Sequence, residues 1–191
     1  MANAISKAVN EIVAAIDAVP EGQQDPSNLK TVLYAVDHLG DMRYSSGGLG
    51  TDLSVQSNGW TVTIGQTQNK CNFFVGVSLA LGGGIGLNGN GNTSGVPVYG
   101  TKGGLGALWG NGYFPGANEW GNGRVVNFQP TTAPQLGDVA AWPSGGVGHS
   151  GIYVGGGATV YANAGAGIKI QTVDFVTKDQ RHPVTYMRYK P

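Results

Sequence analysis

An α+β fold, with helices first and an antiparallel sheet after them, is what the 191-residue chain predicts. Three patterns carry it. Apolar residues recur at helical spacing within residues 3–39, an apolar helical run fills residues 69–81, and short strand-like runs separated by turns follow from residue 137 to the end.

In the first pattern, Ile5, Val9, Ile12, Val13 and Ile16 form one apolar stripe, and Pro20 and Gly22 end that helix. A second helix is expected from Asp25-Pro26-Ser27, where Asp or Ser caps and Pro suits the first turn, through Leu29, Val32, Leu33, Val36 and Leu39 to Gly40. The two can pair as a hairpin. Residues 41–59 are rich in Gly and Ser and read as a loop, and Trp60 to Ile64 alternates as a strand. The run after Asn69 reads as a helix stopped by Gly82 to Gly84, with Cys71 in its first turn. Residues 82–123 mix Gly and Asn with Trp109, Tyr113, Phe114 and Trp120, which reads as a long ordered loop with one short helix. The remaining strands are expected at Val139–Trp142, His149–Val154, Ala158–Asn163, Ile168–Val173 and Val184–Tyr189, close enough in sequence to pair as hairpins. The division is residues 1–59, helical hairpin and loop within the same globule, and 60–191, the domain carrying the chemistry.

Composition narrows the function. Only 12% of residues are charged, and 11 basic side chains balance 11 acidic ones, so no field exists to hold a polyanion and nucleic acid is not an expected partner. A neutral, carbohydrate-like or zwitterionic substrate fits better. No stretch reaches the roughly 18 apolar residues of a membrane span, and residues 1–19 lack the uninterrupted apolar core of a Sec signal. The expectation is synthesis in the cytoplasm without such a signal. Three scattered His residues and one Cys give no zinc-ligand cluster, and no acidic run forms a calcium loop, so neither metal nor cofactor is implied.

A single cysteine forms no internal disulfide, which leaves a buried hydrophobe or a nucleophile. Cys71 at a helix start has the position of a nucleophile. The helix N-terminus favours thiolate, a nearby imidazole can take the proton, and the backbone N–H of Cys71 can help bind an oxyanion. His149 stands among Gly148, Ser150 and Gly151 without the bulky neighbours of a core histidine, whereas His38 and His182 read as ordinary surface residues. Asp138 reads as a turn residue that bonds backbone. Trp109, Trp120 and Trp142 suit either core or substrate platform.

The strings Asn69-Lys70-Cys71-Asn72-Phe73-Phe74-Val75, Gly137-Asp138-Val139-Ala140-Ala141-Trp142 and Gly148-His149-Ser150-Gly151-Ile152-Tyr153-Val154-Gly155 together resemble the CHAP and NlpC/P60 group of papain-like peptidoglycan amidases and endopeptidases. Val184 to Tyr189 is similar to that group's last strand, and the resemblance covers residues 60–191. It implies a papain-like fold, a helix packed on a five- or six-stranded antiparallel sheet, with Cys71 as nucleophile and His149 as general base; the two N-terminal helices lie outside the resemblance and are expected to pack on the same sheet. A third residue orients the imidazole from the next strand. Tyr161 falls where NlpC/P60 members carry a second His, and Asn163, on the same face, is the favoured alternative. The implied reaction is cleavage of a stem-peptide amide in peptidoglycan by an amidase or D,L-endopeptidase. The expected setting is a type VI secretion effector with a cognate immunity protein and a secretion carrier, acting in the target cell's periplasm or wall. A phage lysis enzyme and a non-catalytic glycan-binding module of the same fold are the alternatives.

Overall fold

In a computed structural model the chain is described at residues 10, 12–14, 26–46, 50, 52–57, 60–66, 70–85, 114–125, 127–146 and 148–190. The elements are α1 (Pro26–Asp37), a 3-10 turn (Met42–Tyr44), the strands β1 (Leu53–Ser57) and β2 (Trp60–Ile64), α2 (Cys71–Val77) and its π-helical continuation Ser78–Gly82. After these come α3 (Ala117–Gly121), β3 (Phe128–Thr131), β4 (Val139–Trp142), β5 (His149–Tyr153), β6 (Ala158–Asn163), β7 (Gly167–Thr172), α4 (Val173–Gln180) and β8 (Thr185–Tyr189). The α+β class and the antiparallel sheet follow the sequence reading. The sheet has six strands in the order β3-β8-β4-β5-β6-β7.

Of the first expected helix, Asn10 and Ile12 to Ala14 are helical, and Ile12 is buried; the rest lies outside the described residues, as do Trp109 and Tyr113. The helix α1 begins at Pro26, whose missing N–H costs nothing in a first turn. It ends before Gly40, whose positive φ of 86° turns the chain so that Gly40 N–H meets the carbonyl of Ile168. Residues 41–59 are not a plain loop. Leu53 to Ser57 pairs with Trp60 to Ile64 as a two-stranded ribbon, with Ser57 opposite Trp60. The division at residues 59 and 60 therefore falls inside a hairpin.

The main sheet has two working faces. On one, Val139, Ala141, Ile152, Val160, Ala162 and Met187 pack with Phe73, Phe74 and Val77 of α2 and with Val32 and Ala35 of α1, which makes the N-terminal helix part of the same core. Gly76 of α2 has the Phe114 ring against it so closely that a Cβ there would overlap a ring carbon. On the other face Ala140, Trp142 and Tyr161 pack with Val173 and Val176 of α4. Trp120 and Trp142 are fully buried, which assigns both to core and removes them as a substrate platform.

Two further elements were absent from the sequence reading. The edge strand β3 contains Pro130, which is tolerated there because an edge strand has one side free of ladder bonds. The helix α4 starts where the reading ends a strand, and Thr172 caps it by accepting a bond from the Phe175 N–H at 3.2 Å. His38 also departs from expectation. It is half-buried, stacked on Tyr34 with ring centroids 4.2 Å apart and edge-on to Tyr44, with Nδ1 2.8 Å from the Tyr34 carbonyl oxygen. Asp138 does bond backbone, accepting from the Gln135 N–H at 2.7 Å, and it also pairs with Arg188 at 2.9 Å.

Candidate active site

A cavity of about 200 Å³ is lined by Cys71, His149, Tyr161 and Asn163 together, so all four residues singled out in the sequence reach one place. Its wall is completed by Tyr44, Ser46 and Lys70 on one side and Val176, Asp179 and Gln180 on another.

Cys71 is the first residue of α2, as expected, and the helix lies against β5 and β6. The side chain lines the cavity yet is only 6% exposed. Burial pushes the thiol above its ordinary value. The Ser150 hydroxyl, and the backbone of Ser150, Asn72 and Cys71 itself, pull the other way. The favourable helix start is thus outweighed by the loss of water around the sulfur. Ser150, fully buried on the helix-facing side of β5, has no hydrogen-bond partner of normal geometry for its Oγ, which leaves that hydroxyl to the sulfur.

His149 opens β5 directly across from Trp142 on β4. Gly148 makes this entry possible, because its φ is 64° and a Cβ there would lie 2.9 Å from the Trp142 carbonyl oxygen. The imidazole sits edge-on to Tyr161, with centroids 4.7 Å apart, and tilted to Trp142 at 6.0 Å. Strand alternation puts Ser150 and Ile152 toward α2 and His149 toward α4, so thiol and imidazole come to the cavity from opposite sides of the sheet end. Among the described residues no hydrogen bond joins them, and His149 Nε2 is buried without a partner. Burial holds the imidazole down at about 4, opposed by the negative charge of Asp179. At neutral pH both groups are therefore uncharged.

Among the described residues neither candidate for the third position makes a hydrogen bond to His149 Nε2. Asn163 Oδ1 accepts the Gly165 N–H at 3.0 Å within the β6–β7 turn. Tyr161 packs its ring on His149, and its phenol is raised by burial, with Asn163 opposing.

Sequence reasoning missed three wall residues. Lys70, adjacent to Cys71, is buried, and its Nζ donates to the carbonyls of Arg43 and Ser45 at 3.0 Å and of Gln66 at 3.3 Å. It pins the 41–46 segment to the head of α2, and Ser45 Oγ ties the same segment to the Ala164 carbonyl. Tyr44 is placed by that segment. Its signal in the sequence was faint, an aromatic beside Arg43 in a stretch dominated by Gly and Ser. Asp179 was missed with its helix, although Val173 and Val176 at helical spacing behind Thr172 marked one.

Among the described residues no group of three or more His, Cys, Asp or Glu side chains could hold a metal ion, and no helix is long and apolar enough to cross a membrane. No family model and no curated protein matches this chain.

Proposed function

We propose that the chain is a papain-like cysteine hydrolase that cleaves an amide of the peptidoglycan stem peptide. The observation that carries this reading is the meeting of Cys71, the first residue of a helix, and His149, the first residue of a strand packed on that helix, in one cavity. In the reaction the Cys71 thiol passes its proton to His149 as sulfur attacks the amide carbon. Backbone N–H groups at the head of α2 stabilise the resulting oxyanion. His149 then protonates the leaving amine, and water, giving a proton to the same imidazole, clears the thioester and restores the thiol.

The electrostatics specify a form of this chemistry. A raised thiol and a lowered imidazole rest as a neutral pair. Proton transfer then accompanies attack, driven by substrate filling the cavity and by the oxyanion that forms. The same neutrality favours the rival reading, a glycan-binding module in which the sulfur is inert. Digesting purified sacculi with the chain and separating the muropeptides by mass spectrometry distinguishes them. The hydrolase reading expects fragments whose summed mass exceeds the parent by one water, with a new amine at the cut. Retention on sacculi with every muropeptide mass unchanged would establish the binding module instead. Growth arrest confined to export into the periplasm, relieved by a cognate immunity protein, would mark an antibacterial effector.

A further inference from the structure

We propose that Asp179, on α4, is the positioning residue for His149, in the place that the resemblance gives to a residue of the next strand. The proposal rests on the cysteine-hydrolase reading. It begins from a vacancy in the site: His149 Nε2 is buried without a partner, Asn163 is committed to Gly165, and Tyr161 presents a ring. Asp179 carries the one carboxylate among the described residues lining the cavity.

Its placement follows from the helix. Val176, Asp179 and Gln180 stand at i, i+3 and i+4, so they share one face of α4, and all three line the cavity. Two contacts hold α4 against the sheet beside the cavity. Val173 and Val176 pack on Tyr161 and Trp142, and Trp142 Nε1 donates to Thr177 Oγ1 at 2.9 Å. Trp142 is in turn the direct cross-strand partner of His149. The helix that carries Asp179 and the strand that carries His149 are thus anchored on the same indole. Asp179 Oδ2 accepts from the neighbouring Gln180 Nε2 at 3.0 Å, which steadies the carboxylate at the cavity's edge.

The other polar groups around the imidazole do not compete for this role. Tyr161 on β6 and Tyr44 from the 41–46 segment are neutral phenols held above their ordinary values by burial, and the Lys70 ammonium at the head of α2 is spent on carbonyls. Cys71 is the proton donor. When its proton moves to His149, the imidazolium that forms gains a negative charge at the cavity wall. The direction of its influence on His149 agrees, since it favours the protonated ring.

The test compares wild type, Asp179→Asn and Asp179→Glu by NMR titration of the His149 imidazole without substrate, and by the pH dependence of muropeptide cleavage. Asp179→Asn should lower the imidazole pKa by about half a unit or more and reduce kcat by about 10- to 100-fold, with KM changed less than about threefold. Asp179→Glu should recover most of both. Thermal melting checks that each variant folds, which the exposed position of Asp179 favours. An unmoved His149 titration in folded Asp179→Asn, or kcat within twofold of wild type, overturns the proposal. If wild type cleaves no muropeptide, the hydrolase reading fails first, and the titration alone then decides whether Asp179 faces His149.

Discussion

Replacing His149 by glutamine should slow muropeptide cleavage by about 10²–10⁴-fold, the range spanned by loss of a general acid–base group. Three steps of the proposed cycle use this ring: taking the thiol proton, giving it to the leaving amine and activating water. None of them has a second group to fall back on, because the thiol is held protonated by burial and cannot supply a preformed thiolate. The same substitution carries a stability signature of opposite sign. The folded state holds the imidazole at about 4, whereas the exposed chain titrates near 6.5. Between those pH values the unfolded state binds the extra proton, so His149 contributes fully above pH 6.5 and its contribution is lost as pH falls to 4. The loss amounts to at most roughly 3 kcal/mol, at about 1.4 kcal/mol per pKa unit. His149→Gln should therefore unfold less readily than wild type on acidification from pH 6.5 to 4, relative to their difference at pH 8. Urea melts across that range measure it, and parallel acid curves for the two proteins would contradict the burial argument.

The larger structural effect belongs to Trp142. Its side chain is fully buried between β4 and α4, stands across from His149, and spends its indole N–H on Thr177. Trp142→Ala removes that packing and leaves Thr177 Oγ1 without its donor, a change expected to cost about 3–5 kcal/mol. Against a total stability of roughly 5–15 kcal/mol this is a large share. For a domain of this size the melting temperature should fall by about 6–20 °C. Because α4 is anchored on the same indole, His149 should also become accessible, and its imidazole should titrate closer to 6.5. A melting temperature within 2 °C of wild type would show that α4 does not depend on this contact.

The strands β4 to β6 were legible because each is a short run with β-branched or aromatic residues set off by glycine-containing turns. Val139–Trp142 and Ala158–Asn163 have the expected ends. The head of α2 was legible for a different reason: an apolar run at helical spacing needs a start, and Cys71 stands at it. What escaped reading was structure whose signal lies in pairing. Three of the five residues of β1 are Ser or Gln, and it becomes a strand only through β2, although Asn58-Gly59 between the two is itself a hairpin signal. Pro130 masked β3 because a proline in a four-residue run argues against a strand until its edge position is known. Asp179 could not be picked from 11 acidic residues while its helix went unread. Lys70 carried no role in the sequence beyond its place beside Cys71. Its carbonyl partners come from residues 43, 45 and 66, a convergence that spacing along the chain does not encode.

Cleavage of purified muropeptides by a folded Cys71→Ala variant is the most direct measurement of whether the sulfur performs the reaction. The account predicts a rate at least about 10³-fold below wild type, with a circular dichroism spectrum and melting curve close to wild type, because only a small buried side chain is shortened. Cleavage at the wild-type rate by that variant would contradict it, and the cavity that Cys71 shares with His149 would then have some other use.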